Sequence, residues 1–139
     1  MTAQTPTGVL HRLKDSNFQV ADPRGDIRGR KVLDSAGDEI GKVDDLLIDD
    51  REGRVRFIEV AFGGFLGLGE TKVLLPVETV TGVRDEHVEV NQDRARLMGA
   101  PKYDPELVEH PYLSQLYGYY GYRTPFWDPA YIYPRYPYF

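Results

Sequence analysis

The chain has 139 residues, no cysteine, and 17 basic against 22 acidic side chains, for a formal charge of −5. That length suits one domain able to bury its own core. The absence of cysteine excludes a disulfide framework, a thiolate metal site and a cysteine nucleophile, and the negative charge builds in no long-range attraction to phosphate backbones or anionic lipid.

Residues 1–25 read as an N-terminal arm that ends in a short amphipathic piece, Val9, Leu10 and Leu13. The arm carries no apolar core of a secretory leader, so a cytoplasmic location is expected. The longest apolar stretch, Val60 to Gly69, is ten residues and broken by glycines, well short of the roughly 20 that a membrane-spanning helix requires.

The strongly patterned region is 26–100, with nine basic and fifteen acidic residues between Asp26 and Val90. Arg30 to Leu33 predicts a short strand, and Asp34-Ser35-Ala36-Gly37 a turn whose Asp and Gly suit the required geometry. Glu39 to Asp49 is a second strand that stops at the turn Asp50-Arg51-Glu52-Gly53. Arg54 to Phe62 alternates: Ile58, Val60 and Phe62 follow the polar Arg54 and Arg56 on one face, and Val55, Phe57 and Ala61 surround Glu59 on the other. A strand apolar on both faces needs cover on both.

After a glycine loop, Lys72 to Val77 is a strand in which Pro76 marks an edge, a strand end or a bulge. Thr79–Val83 and His87–Val90 flank the tight turn Arg84-Asp85-Glu86. Short strands separated by turns, with no helix-length segment between them, indicate a small barrel or sandwich rather than βαβ units. Asp93 to Met98 allows one or two helical turns, ended by Gly99 and Pro101. Residues 101–118 form a linker with room for a short helix between Pro105 and Tyr117, which Pro111 is expected to interrupt.

The tail, 119–139, is chemically different. From Pro111 to Phe139 the chain places nine of its ten tyrosines, its only tryptophan and five prolines. Tyr133-Pro134 and Tyr136-Pro137 repeat at the three-residue period of polyproline II and predict an extended arm. Each aromatic side chain has about 150–250 Å² to bury, so the arm should have a seat, on its own barrel, a sister subunit or a foreign partner.

No cluster has the pattern of a catalytic or cofactor site. The glycine loop Gly63 to Glu70 is followed by Thr71 and Lys72 leading into a strand, not by the helix and Gly-Lys-Ser/Thr of a phosphate cradle. Its Phe65, Leu66 and Leu68 are apolar enough to cap the barrel or enter an interface. Asp44, Asp45, Asp49, Asp50 and Glu52 do not match a calcium loop. Strand alternation sends Asp44 and Asp45 to opposite faces, so the group reads as turn chemistry and a solvated face. His11, His87 and His110 lack metal-ligand spacing, and Ser16, Ser35 and Ser114 lack a nucleophile context.

The run from Asp26 to Val80 resembles the PRC-barrel family, most clearly in IGKVDDLLID (Ile40–Asp49), GRVRFIEV (Gly53–Val60), the FGGFLGLG loop and LLPVETV (Leu74–Val80). The flanks LKDSNFQVADPRGDIRG, LMGAPKYDPE and YGYYG resemble those of stand-alone bacterial members. The resemblance spans roughly residues 10–121. It implies an all-β fold: a small antiparallel PRC-type barrel, here with a short helical segment and an extended C-terminal arm. It also implies a docking role, as in the photosynthetic reaction-centre H subunit and the ribosome maturation factor. Neither setting carries over, because the sequence shows neither the membrane helix of the first nor the RNA-linked domain of the second, and a fold alone supplies no activity.

The expected function is therefore a non-enzymatic interaction module without cofactor. It would self-associate as a homodimer or higher homo-oligomer and dock onto a macromolecular partner. The expected interface comprises Phe57 of the sheet, Phe65, Leu66 and Leu68 of the loop, and Tyr119, Tyr120, Tyr122, Phe126, Trp127, Tyr131, Tyr133, Tyr136 and Tyr138 of the arm. An RNA-associated accessory, with tyrosines stacking on unpaired bases, is disfavoured by the acidic barrel. Carbohydrate or envelope binding by the arm lacks an export signal.

Overall fold

The computed structural model describes residues 10–16, 19–20, 23–63, 70–104 and 110–137. Seven strands form one sheet: β1 (Leu10–Arg12), β2 (Lys31–Leu33), β3 (Glu39–Asp49), β4 (Val55–Gly63), β5 (Glu70–Pro76), β6 (Val80–Val83) and β7 (His87–Val90). Their order is β5-β4-β3-β2-β7-β6, with β1 paired to the C-terminal end of β3. Two helices follow, α1 (Arg94–Met98) and α2 (His110–Tyr119).

The turns form for the reasons their residues suggest. Asp34 Oδ1 accepts the N–H groups of Ala36 and Asp38, both at 2.9 Å. Asp49 does the same for Arg51 and Glu52 at 3.0 and 2.6 Å, and Gly53 completes that hairpin at φ +66°. Pro76 ends the edge strand β5, where a missing N–H is tolerated.

Three expectations change. The sheet is mixed, because β2 runs parallel to β7, with Lys31 opposite His87 and Leu33 opposite Glu89. It is also open: among the described residues no ladder joins β5 to β6. The single 3-10 turn Val77–Thr79 carries the chain between these two strands at opposite ends of the sheet order, so the seam is crossed covalently. Finally, the described part of α2 runs from His110 through Pro111 to Tyr119, so the proline does not interrupt it. The predicted helix start at Pro105 lies outside the described residues.

Every residue of β4 from Val55 to Ala61 is buried, as its two-faced pattern requires. Part of the cover comes from α2, whose Tyr117 ring lies 5.2 Å from Phe57, and part from the tail. Tyr120, Phe126 and Tyr136 belong to the same continuous core as Ile58, Leu74 and Val88. The tail is not a straight polyproline arm. It reverses after α2 at Gly121, φ +90°, and turns again at residues 126–127, 129–130 and 136–137. Asp128 holds the middle turn by accepting the Ala130 N–H at 2.8 Å. Burial of rings prevails over the extended preference of the Tyr-Pro steps.

β3 and β4 approach closely at Gly41. A Cβ there would fall 2.7 Å from Val60 Cγ1 and 2.8 Å from the Ala61 carbonyl oxygen, and a main-chain carbonyl cannot rotate away. Gly41→Ala is expected to destabilise the protein by about 1–3 kcal/mol, the usual penalty of forced overpacking. It should appear as a lower urea midpoint at constant m-value, and an unchanged midpoint would contradict this packing.

Candidate interaction surface

The tail is seated around one buried cation. Arg56 on β4 has a side chain only 3% exposed. Its Nε donates to Asp49 Oδ2 at 2.6 Å and Nη2 to Glu52 Oε1 at 2.5 Å. The tail supplies rings to the same guanidinium, at 4.8 Å for Phe126, 5.6 Å for Tyr133 and 5.8 Å for Tyr131. Burial disfavours the charge, but Asp49 and Glu52 more than offset it and keep Arg56 protonated.

Further contacts hold the tail. The Tyr133 hydroxyl donates to Glu52 at 2.7 Å, and its ring lies under Arg54 at 4.3 Å. That hydrogen bond, followed by Arg56, holds the Glu52 carboxyl below its ordinary range. The Tyr136 hydroxyl donates to the Gly25 carbonyl, and Trp127 stacks on His110 at 4.0 Å. Between the β3–β4 turn and the tail lies a cleft of about 490 Å³ lined by Arg51, Glu52, Trp127, Asp128, Tyr131 and Tyr133.

A second ionic cluster fastens β1. The β3–β4 register steps from Val43 opposite Val60 to Asp45 opposite Glu59, leaving Asp44 as the extra residue of a bulge. Alternation fails at a bulge, so Asp44 and Asp45, predicted on opposite faces, meet the same cation. Arg12 binds Glu59 with two nitrogens, each at 3.2 Å, and lies 3.5 Å from Asp45 and 4.0 Å from Asp44. Lys14 and Lys72 reach Asp44 at 3.3 and 3.0 Å. Nor is this a solvated face, since Asp45, Asp49 and Glu59 are buried. Burial pushes Glu59 above its ordinary range against the pull of Arg12 and Lys72. Burial also acts to raise Asp44, but Lys72 and Lys14 outweigh it and hold that carboxyl low.

The sequence-predicted interface residues divide by environment. Phe57, Tyr120, Phe126 and Tyr136 are buried in the chain's own core. Trp127, Tyr131 and Tyr133 gather with Phe126 around Arg56 and the cleft. Tyr119 lies elsewhere, under Arg96 at 4.4 Å, and the Tyr122 hydroxyl donates to the Glu78 carbonyl. Phe65, Leu66, Leu68 and Tyr138 lie outside the described residues. Sequence reasoning missed Arg12, Arg56 and Glu78. For Arg56 one signal was present, a cation inside a strand that must be covered on both faces.

Removing Arg56 leaves Asp49 buried and unpaired, so Arg56→Ala should cost about 3–5 kcal/mol in equilibrium unfolding. The exposed Arg54→Ala should cost under about 1 kcal/mol. Equal losses in the two variants would show that the buried pair is not the anchor.

The described residues contain no helix long and apolar enough to cross a membrane. A search of curated proteins finds no match to the chain. A family model of the PRC-barrel domain matches residues 22–97, more than half of the sequence and nearly the whole sheet. With the seven-stranded sheet under that match, the chain belongs to the PRC-barrel domain family.

Proposed function

We propose that the chain is a non-catalytic, cytoplasmic assembly module that self-associates and docks onto a macromolecular partner through the ridge formed by its seated tail. The family suggests a protein-interaction module in general. The observation that carries the finer reading is a division of labour within the tail. Phe126 and Tyr136 are buried and fasten it, while Ile132 and Tyr133 are 85% and 48% exposed on its crest.

A large aliphatic side chain held in water beside an aromatic-rimmed cleft is a feature of contact surfaces. Tyrosine adds a rigid ring with few rotamers to immobilise. Because the seat is made in cis, the ridge is pre-formed, and ordering it costs nothing on association. One self-complementary patch closes most simply as a two-fold dimer. The loop residues Phe65, Leu66 and Leu68 are proposed to add a contact of their own.

Light scattering of the full chain over a wide concentration range tests this. The wild type should show the mass of two chains, and Ile132→Asp, which places a charge on the crest without touching the seat, the mass of one. A single-chain mass for the wild type throughout would defeat the proposal.

A further inference from the structure

Beneath the tail, four polar atoms are buried without a well-aligned hydrogen bond: both carboxylate oxygens of Glu78 and the hydroxyls of Tyr117 and Tyr131. Glu78 lies in the Val77–Thr79 turn, Tyr117 on α2 and Tyr131 in the tail. Three segments distant in sequence thus share one buried polar junction in which the Tyr131 hydroxyl faces the Glu78 carboxylate. The charged group facing it is Arg56, which reaches the Tyr131 hydroxyl as well as Asp49 and Glu52. The Tyr122 hydroxyl bonds the Glu78 carbonyl and leaves the carboxylate unserved.

An ionised carboxylate is an acceptor only, whereas a protonated one brings its own donor. In this junction the neutral acid can donate to a phenol while a phenol donates to it. The ionised form can accept from the phenols but carries the desolvation cost of a buried charge unless it admits water, which means lifting Tyr131.

We infer that Glu78 is a proton-operated latch for the tail: protonated, it lets Tyr131 and Tyr117 close over it, and ionised, it loosens the tail from the sheet. Burial pushes the Glu78 carboxyl above its ordinary value of 4.5. The seated state therefore binds the proton more tightly than the released one. Seating contributed by Glu78 is complete below the ordinary value and is lost as pH rises through the raised one. Glu52 works in the opposite sense. Tyr133 and Arg56 hold it low, so its clasp is present above the ordinary carboxylate range and is lost as pH falls through the lowered value. Two carboxylates thus grip neighbouring tail residues from opposite ends of the pH scale, and the tail is tightest around the ordinary carboxylate value. The latch takes its meaning from the docking ridge proposed above, yet tail mobility and subunit number are separate measurements.

The chain has no cysteine, so Ala130→Cys in the full chain, at an exposed tail position, carries a single spin label. In that background the mobile fraction of the label should rise several-fold from weakly acidic to alkaline pH. Glu78→Gln should abolish the rise. Tyr131→Phe, which removes the hydroxyl that steadies the ionised form in the seated state, should carry the rise to higher pH. Glu52→Gln, which mimics the protonated clasp, should remove the acid limb, loosen the tail at every pH above it and leave the alkaline limb in place. His110, stacked on Trp127, is the tail's other titratable neighbour, and His110→Gln should leave the alkaline limb unmoved. An alkaline limb that survives Glu78→Gln, one that disappears in His110→Gln, or a label equally immobile at every pH overturns the latch. Should Glu78→Gln fail to fold by circular dichroism, the Tyr131→Phe shift decides, and no shift refutes the inference. A wild type that is single-chain yet keeps the alkaline limb refutes the docking ridge alone.

Discussion

One buried guanidinium organises this molecule. Arg56 lies in the middle of the tail's seat, bonded to the end of β3 and the following turn and ringed by tail aromatics. Taking a charge out of water is expensive unless its hydrogen bonds are met. Here two carboxylates meet them, and the aromatic faces exclude water while still offering the cation a favourable quadrupole. The tail is therefore part of the fold. Without it, a two-carboxylate site and an apolar strand would face solvent.

The same logic recurs at the other end of the chain. Arg12 on β1 inserts among Glu59, Asp45 and Asp44, so the N-terminal strand is fastened by charge, as the C-terminal segment is fastened by charge and rings together. The two straps meet, since Tyr136 bonds Gly25. A small acidic sheet thus gains cover from both of its terminal segments. Among the described residues, the large hydrophobics left exposed are Ile132 and Tyr133 on the crest and Met98 on α1.

Much of the sheet was legible because turns and alternation are local signals. Asp34 and Gly37, Asp49 and Gly53, and the two-faced run of β4 each announce their geometry in a few residues. The parallel pairing of β2 with β7 was not legible, because it joins segments more than fifty residues apart through contacts without a short-range signature. The pairing of Asp44 and Asp45 was hidden by a bulge, which inverts side-chain direction without a marker in composition. The burial of Arg12 and Arg56 was not legible because it depends on partners that tertiary structure brings from β3, β4 and the tail. The aromatic tail was legible as something needing a seat. The seat itself was legible only once Arg56 was seen to be inside.

The seam between β5 and β6 is bridged by a bent piece of main chain and no ladder of hydrogen bonds. Sheets closed by a ladder resist widening along their whole length, since every ångström of spread breaks backbone bonds. Here spreading bends the Val77–Thr79 main chain but breaks no ladder, which makes the seam a compliant line of the sheet. Glu78 stands on that line. An open sheet that can spread there accommodates volume changes in its filling, while the β3–β4–β5 meander keeps its ladders.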